Sequence, residues 1–194
     1  MKSLSSIVNV ILHPVTLAIP GVFLTTYNST RNFSTSLFWT LLSMIFSGII
    51  AVFVLIGVKK GFFNNLDVSN RKQRIILYPF SIVVILFFAL FVYLENGPFV
   101  LMYASIFFVI ALGILDLVNQ KIKASIHVAA VASIVTGTIF VYGGMSFILL
   151  LFIPLISWAR IHQKRHTLKE TVAGAICGIS FTLIAIFIVQ FIIR

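Results

Sequence analysis

Three residues of the stretch Arg160-Ile161-His162-Gln163-Lys164-Arg165-His166-Thr167-Leu168-Lys169-Glu170 have the types and spacing for phosphoryl transfer: Arg160, His166 and Glu170. On a helix, His166 and Glu170 are four apart and share a face, so the carboxylate can accept a hydrogen bond from one ring nitrogen. The other nitrogen is then a nucleophile. A carboxylate that fixes the tautomer and stabilises the imidazolium prepares a histidine for covalent attack on phosphorus. Arg160, six residues upstream, would aim its guanidinium at the same phosphate, beside backbone N–H groups at a helix N-terminus. On spacing alone, a solvated basic loop carrying an ordinary helix pair accounts for these residues at least as well.

A second histidine, His127, follows Lys121, Lys123 and Ser125. If His166 attacks, His127 is suited to protonate the leaving oxygen and later to activate water, which an ordinary pKa of about 6.5 permits near neutral pH. The plainer reading is an interfacial histidine at a helix end.

These residues must be positioned by elements of one kind. The chain has 194 residues, is 60% hydrophobic and carries twenty phenylalanines, with only 9% charged residues. Its apolar runs exceed the roughly 20 residues that cross a bilayer, which implies a polytopic membrane protein. Spans are expected near 7–27, 36–58, 75–94, 98–117, 126–142, 145–159 and 171–193. All are expected to be helical, because an open strand edge is unsatisfied in lipid. The fold class is therefore an all-α transmembrane bundle of about six or seven spans, read as one domain over 1–194. The polar stretch Asn28 to Ser34, the turn Glu95-Asn96-Gly97-Pro98 and the pair Gly143-Gly144 separate spans. The apolar segment after Lys2 is read as a retained first helix, since polar and proline interruptions argue against a cleaved signal.

The formal net charge is +10, and eleven of the fourteen basic residues fall in three connections. Lys59, Lys60, Arg71, Lys72 and Arg74 lie in one, Lys121 and Lys123 in the next, and Arg160, Lys164, Arg165 and Lys169 in the third. With seven spans, the three share one membrane side, which the positive-inside tendency makes cytoplasmic. Charges confined to short loops speak against nucleic-acid binding and for anionic lipid headgroups as partners.

The two polar stretches also resemble a known family. Arg160, five residues, His166, three residues and Glu170 is similar to the third signature of the type 2 phosphatidic acid phosphatase superfamily, usually serine-arginine, five residues, histidine, three residues, aspartate. It continues into the small-residue helix start Thr171-Val172-Ala173-Gly174-Ala175. Ala124-Ser125-Ile126-His127 resembles the second signature, proline-serine-glycine-histidine. The first signature is a lysine, six residues, then arginine-proline. Aligned on Pro79, it puts Arg71 at the lysine and Tyr78 at the arginine, with Lys72 and Arg74 near enough to replace the lost charge. Ala159, Ala124, Ile126 and Glu170 depart from the family's residues, and the resemblance covers roughly 71–175. It implies His166 as nucleophile, Glu170 as its orienting partner and His127 as general acid. Arg160, Arg71, Lys72, Arg74, Lys123 and Ser125 would surround the phosphate.

The remaining polar residues have plainer expectations. Asp116 is expected to pair with Lys121 or Lys123, because a lone carboxylate at the bilayer centre costs about 2.5 to 3.5 kcal/mol. His13-Pro14 is expected to bend the first span, with His13 hydrogen-bonding a neighbour, and to take no part in catalysis. His162 is at best an auxiliary phosphate contact. Cys177 is a packing residue, and no intrachain disulfide is possible. No metal-ligand cluster or nucleotide fingerprint is visible, so a mechanism without metal or cofactor is expected, with basic side chains stabilising the transferring phosphoryl group. The expected function is hydrolysis of a phosphomonoester or pyrophosphate on a lipid, in a prokaryotic cell membrane. A non-catalytic phospholipid-binding protein, an anion transporter and a transferase are the rivals.

Overall fold

The computed structural model describes residues 2–68 and 70–193, with side chains described for all of these but 2, 3, 71, 192 and 193. Its elements are α1 (Lys2–Ile11), α2 (Pro14–Thr30), α3 (Phe33–Lys59), α4 (Arg71–Leu94), α5 (Phe99–Lys121), α6 (Ile126–Tyr142), a 3₁₀ segment (Gly144–Leu151) running into α7 (Phe152–His162), and α8 (Leu168–Ile193). No strand occurs among the described residues.

The helices extend beyond their apolar runs because polar residues cap them. Asn32 Oδ1 accepts from the N–H of Thr35 at 2.9 Å, and Asn70 Oδ1 from that of Lys72 at 3.1 Å. At α8, Thr167 and Glu170 form a reciprocal capping box: Glu170 Oε2 accepts from the Thr167 N–H at 3.1 Å and Thr167 Oγ1 from the Glu170 N–H at 3.4 Å. The expected separators hold, with Gly143 and Gly144 both at positive φ between α6 and the 3₁₀ segment.

Six helical stretches are long and apolar enough to cross a bilayer, and α6, with 17 residues, is the shorter apolar helix. Phe87, Phe187 and Phe191 stand exposed on the outside, while Ser36, Thr40 and Ser105 are buried. Such an inverted surface fits a lipid environment, so the chain is an all-helical membrane bundle. At its centre is α6, which buries Val128, Ala129, Val131, Ala132 and Val135. Two glycines let α8 lie directly against it. A Cβ on Gly174 would strike the Ser125 backbone, and one on Gly178 the Ala129 carbonyl. Lipid tails give helices little hydrophobic reason to associate, so close packing of small residues is the main attraction here. Cys177 packs on the neighbouring cluster of Leu115, Ala124 and Ala129, the packing role expected of it.

The expected first span is divided. Pro14 cannot continue the hydrogen-bond ladder of α1, and the chain restarts there as α2 with Pro14 in its first turn and His13 as N-cap. Freed from α2, α1 packs along α7 in the opposite direction. The Ser5 carbonyl accepts from Gln163 Nε2 at 3.0 Å, Asn9 Oδ1 from Arg160 Nη1 at 3.1 Å, and Leu12 joins Ile156 and Ala159 in one apolar cluster.

The three basic connections do meet at one end of the bundle. Lys123 Nζ donates to the Arg165 carbonyl at 3.4 Å, the Ser125 N–H to the Glu170 carbonyl at 3.0 Å, and Arg160 Nη1 to Asp67 Oδ2 at 2.9 Å.

Candidate functional site

The first half of the site is local. The capping box fixes Glu170 at the start of α8, and its Oε2 also lies 3.0 Å from His166 Nδ1. His166 is buried. Burial foremost, with the positive charge of Arg160 and Lys123 added, pulls its pKa down to about 4, although the Glu170 hydrogen bond pushes the other way. At neutral pH the imidazole is therefore uncharged. Its Nδ1–H donates to Glu170, which leaves Nε2 as a free lone pair.

The second half is assembled from distant elements. The Arg160 side chain, near the end of α7, is almost fully buried and gives Nη1 to both Asn9 of α1 and Asp67 of the α3–α4 connection. Asp67 Oδ1 lies 3.8 Å from Nε2 of His127 at the start of α6. Although burial opposes its charge, Arg160 first, then His127 and Arg165, holds the Asp67 carboxyl below the usual carboxylate range. Edge-on against the His127 ring, with centroids 4.9 Å apart, stands His13.

Buried nitrogens remain without protein partners: Arg160 Nε, His127 Nε2 and Arg74 Nη1 have no hydrogen bond. Unpaired buried polar atoms are uncommon and are worth explaining.

The other expected phosphate contacts divide. Arg74 is buried, but its Nε donates to the Val68 carbonyl at 3.1 Å, so it pins the connection that carries Asp67. Lys123 ties its loop to Arg165 and contributes positive charge at His166. Ser125 is fully buried, and its hydroxyl caps α6 by accepting from the Val128 N–H at 3.5 Å, so it builds the helix start on which His127 sits. Lys72 is exposed on the first turn of α4, and the Arg71 side chain lies outside the described residues. Tyr78, at the family's arginine position, is buried, and its hydroxyl accepts from Asn119 Nδ2 at 3.3 Å. His162 stacks on Trp158, with centroids 5.5 Å apart, and is exposed.

Two expectations change. Among the described residues the ion pairs are His127–Asp67, Arg160–Asp67 and His166–Glu170, so Asp116 pairs with neither Lys121 nor Lys123. Lys121 is exposed and Lys123 turns to the α7–α8 connection instead. His13 does more than bend the span and bond a neighbour: its ring meets His127 in the cluster. Neither Asp67 nor Asn9 carries a sequence signal, because their partners lie 93 and 151 residues away. The His-Pro pair at a helix break was the available clue to His13.

A set of potential metal ligands, invisible in the sequence, also forms: the nearest ligand atoms of His13, Asp67 and His127 lie within 4.8 Å of one another. Two observations oppose a cation there. The Arg160 guanidinium already sits on Asp67, and His13 Nδ1 is occupied as acceptor of the Val15 N–H at 3.3 Å. With Nδ1 accepting, the neutral ring carries its proton on Nε2, a donor rather than a ligand atom. No family model, no curated protein and no solved structure matches this chain.

Proposed function

We propose that this chain is an integral membrane lipid phosphatase, a divergent member of the type 2 phosphatidic acid phosphatase superfamily, working through a phosphohistidine. The observation that carries the reading is the 3.0 Å contact of His166 Nδ1 with Glu170, which leaves the Nε2 lone pair free beside Arg160. His166 Nε2 attacks phosphorus, and the P–O bond to the leaving group breaks with its electron pair going to that oxygen. His127 supplies the proton that makes it an alcohol or a phosphate. Water then attacks the phosphohistidine, its proton passing to His127, and the P–N electron pair returns to His166. The unpartnered Nε edge of Arg160 holds the phosphoryl oxygens as charge develops on them.

The substrate is a lipid phosphomonoester or pyrophosphate, such as phosphatidic acid, phosphatidylglycerol phosphate or a prenyl pyrophosphate. Its anion would sit at the polar end of the bundle and its chain in the bilayer of a prokaryotic cell membrane. One observation favours a second reading, a phospholipid-binding protein without turnover: Asp67 already neutralises Arg160. Phosphate release by detergent-purified protein from a panel of these lipids, with no metal added and beside His166→Ala, separates the two. Release lost in the variant supports the phosphatase; no release from any lipid by the wild type overturns it.

A further inference from the structure

His166 has a dedicated carboxylate in Glu170. His127, the expected acid, has none on its own helix, yet an acid must be held in a defined orientation and protonation state to be useful. Around it stand Arg160 from α7, His166 from the α7–α8 connection, His13 from the α1–α2 break and Asp67 from the α3–α4 connection. Asp67 is the one carboxylate among them. Its two oxygens divide the work: Oδ2 holds Arg160 Nη1 at 2.9 Å, and Oδ1 faces His127 Nε2 at 3.8 Å. That second distance is too long for a hydrogen bond, so Nε2 stays available to a substrate oxygen while the carboxylate acts on it through space. On the other side, the His13 ring abuts His127 edge-on. His13 is itself held, since its Nδ1 caps α2 by accepting from Val15.

We propose that Asp67 and His13 are positioning residues for His127, a second carboxylate–histidine assembly that serves the leaving group as Glu170–His166 serves phosphorus. Asp67 favours the proton-bearing form of the ring and His13 fixes its plane. Through Oδ2, Asp67 also turns the Nη1 edge of Arg160 away from the phosphate, which leaves Nε to meet it. The inference rests on the phosphatase reading and adds a demand on the substrate: a poor leaving group, an alkoxide rather than a phenolate, is what requires this assembly.

The test compares single-turnover phosphoenzyme formation from an alkyl phosphate monoester, whose oxygen must be protonated, and from 4-nitrophenyl phosphate, whose phenolate leaves without a proton. Asp67→Asn is isosteric and His13→Asn preserves an N-cap side chain, and each protein's fold is checked by thermal unfolding and gel filtration. The ratio of alkyl to nitrophenyl rates is expected to fall on the order of 100-fold in Asp67→Asn and about tenfold in His13→Asn. His127→Ala should show the same selective fall, and adding Asp67→Asn to it should change the ratio by less than about twofold. Equal losses on both substrates, or no loss, overturn the inference while leaving the phosphatase standing. Stoichiometric zinc in the purified wild type that Asp67→Asn lacks also overturns it, in favour of a metal site. A wild type that forms no phosphoenzyme from either compound defeats the underlying reading instead.

Discussion

The two histidines of this site are held in opposite ways. His166 and its carboxylate are neighbours at one helix start, where the Thr167–Glu170 capping box holds Glu170 against His166. His127 is surrounded by residues from the α1–α2 break, the α3–α4 connection and α7, which no short segment brings together. A local pair is robust to distant change. An assembled set depends on every helix that reaches it, so perturbations remote from both histidines should damage His127 first.

The largest effect belongs to the local half. His166→Ala removes the atom that bonds phosphorus and should lower turnover at least about 10⁴-fold with little change in thermal stability. Near-normal phosphate release by this variant would break the comparison at its root. Arg160→Ala strikes the assembled half, since it removes the cation from a buried pair and strands Asp67. It should destabilise the protein by about 3 kcal/mol, near the low end for such a pair because Asp67 keeps partial exposure, and should abolish phosphate binding. Thermal unfolding and lipid-binding measurements read the two consequences separately.

Glu170 sharpens the contrast because it serves both a helix and a histidine. Glutamine preserves the capping box while removing the charge, so Glu170→Gln should lower turnover on the order of 100-fold at nearly unchanged stability. Glu170→Ala should lose about 1 kcal/mol as well. Equal rates for wild type and Glu170→Gln would show that His166 is oriented from elsewhere. Gly174→Ala tests the remote dependence. It forces α8 away from the Ser125 backbone, two residues from His127, and should slow an alkyl phosphate several-fold more than 4-nitrophenyl phosphate by displacing the helix start that carries His127.

A further consequence is the effect of pH on stability. His166 titrates at about 4 in the folded chain against an ordinary 6.5, so between those values the unfolded chain takes up a proton that the folded one refuses. Stability is unaffected by this group above about pH 6.5 and declines as pH falls from there toward 4. The lowered Asp67 carboxyl acts in the same direction at lower pH: its contribution is present above the unfolded carboxyl's pKa and is lost as pH falls through the folded value. Unfolding temperatures in detergent at pH 7 and pH 4.5, for the wild type beside His166→Ala, isolate the His166 part, and a loss on acidification that is equal in the two proteins would contradict it.

The sequence alone determined the apolar helices, their separators, the three basic connections and the His166–Glu170 pair. Each of these rests on short-range physics: the length that crosses a bilayer, the φ that glycine permits, and the capping geometry that turns Glu170 back onto His166, which precedes α8 rather than sharing a helix face with Glu170. It also located His127, Arg160 and Cys177, and marked His13-Pro14 as a break. Ser125 was legible as a residue near His127, though its hydroxyl caps α6. It took the packed fold to show that α1 runs back along α7, that His13 meets His127, and that Asp67 rather than Lys72 stands beside Arg160. Likewise the approach of α8 to α6 is set by small residues, Gly174 and Gly178, whose effect is the distance between two backbones. Spacing along a chain specifies which residues share a face. Which faces meet is decided by the close packing of all of them at once.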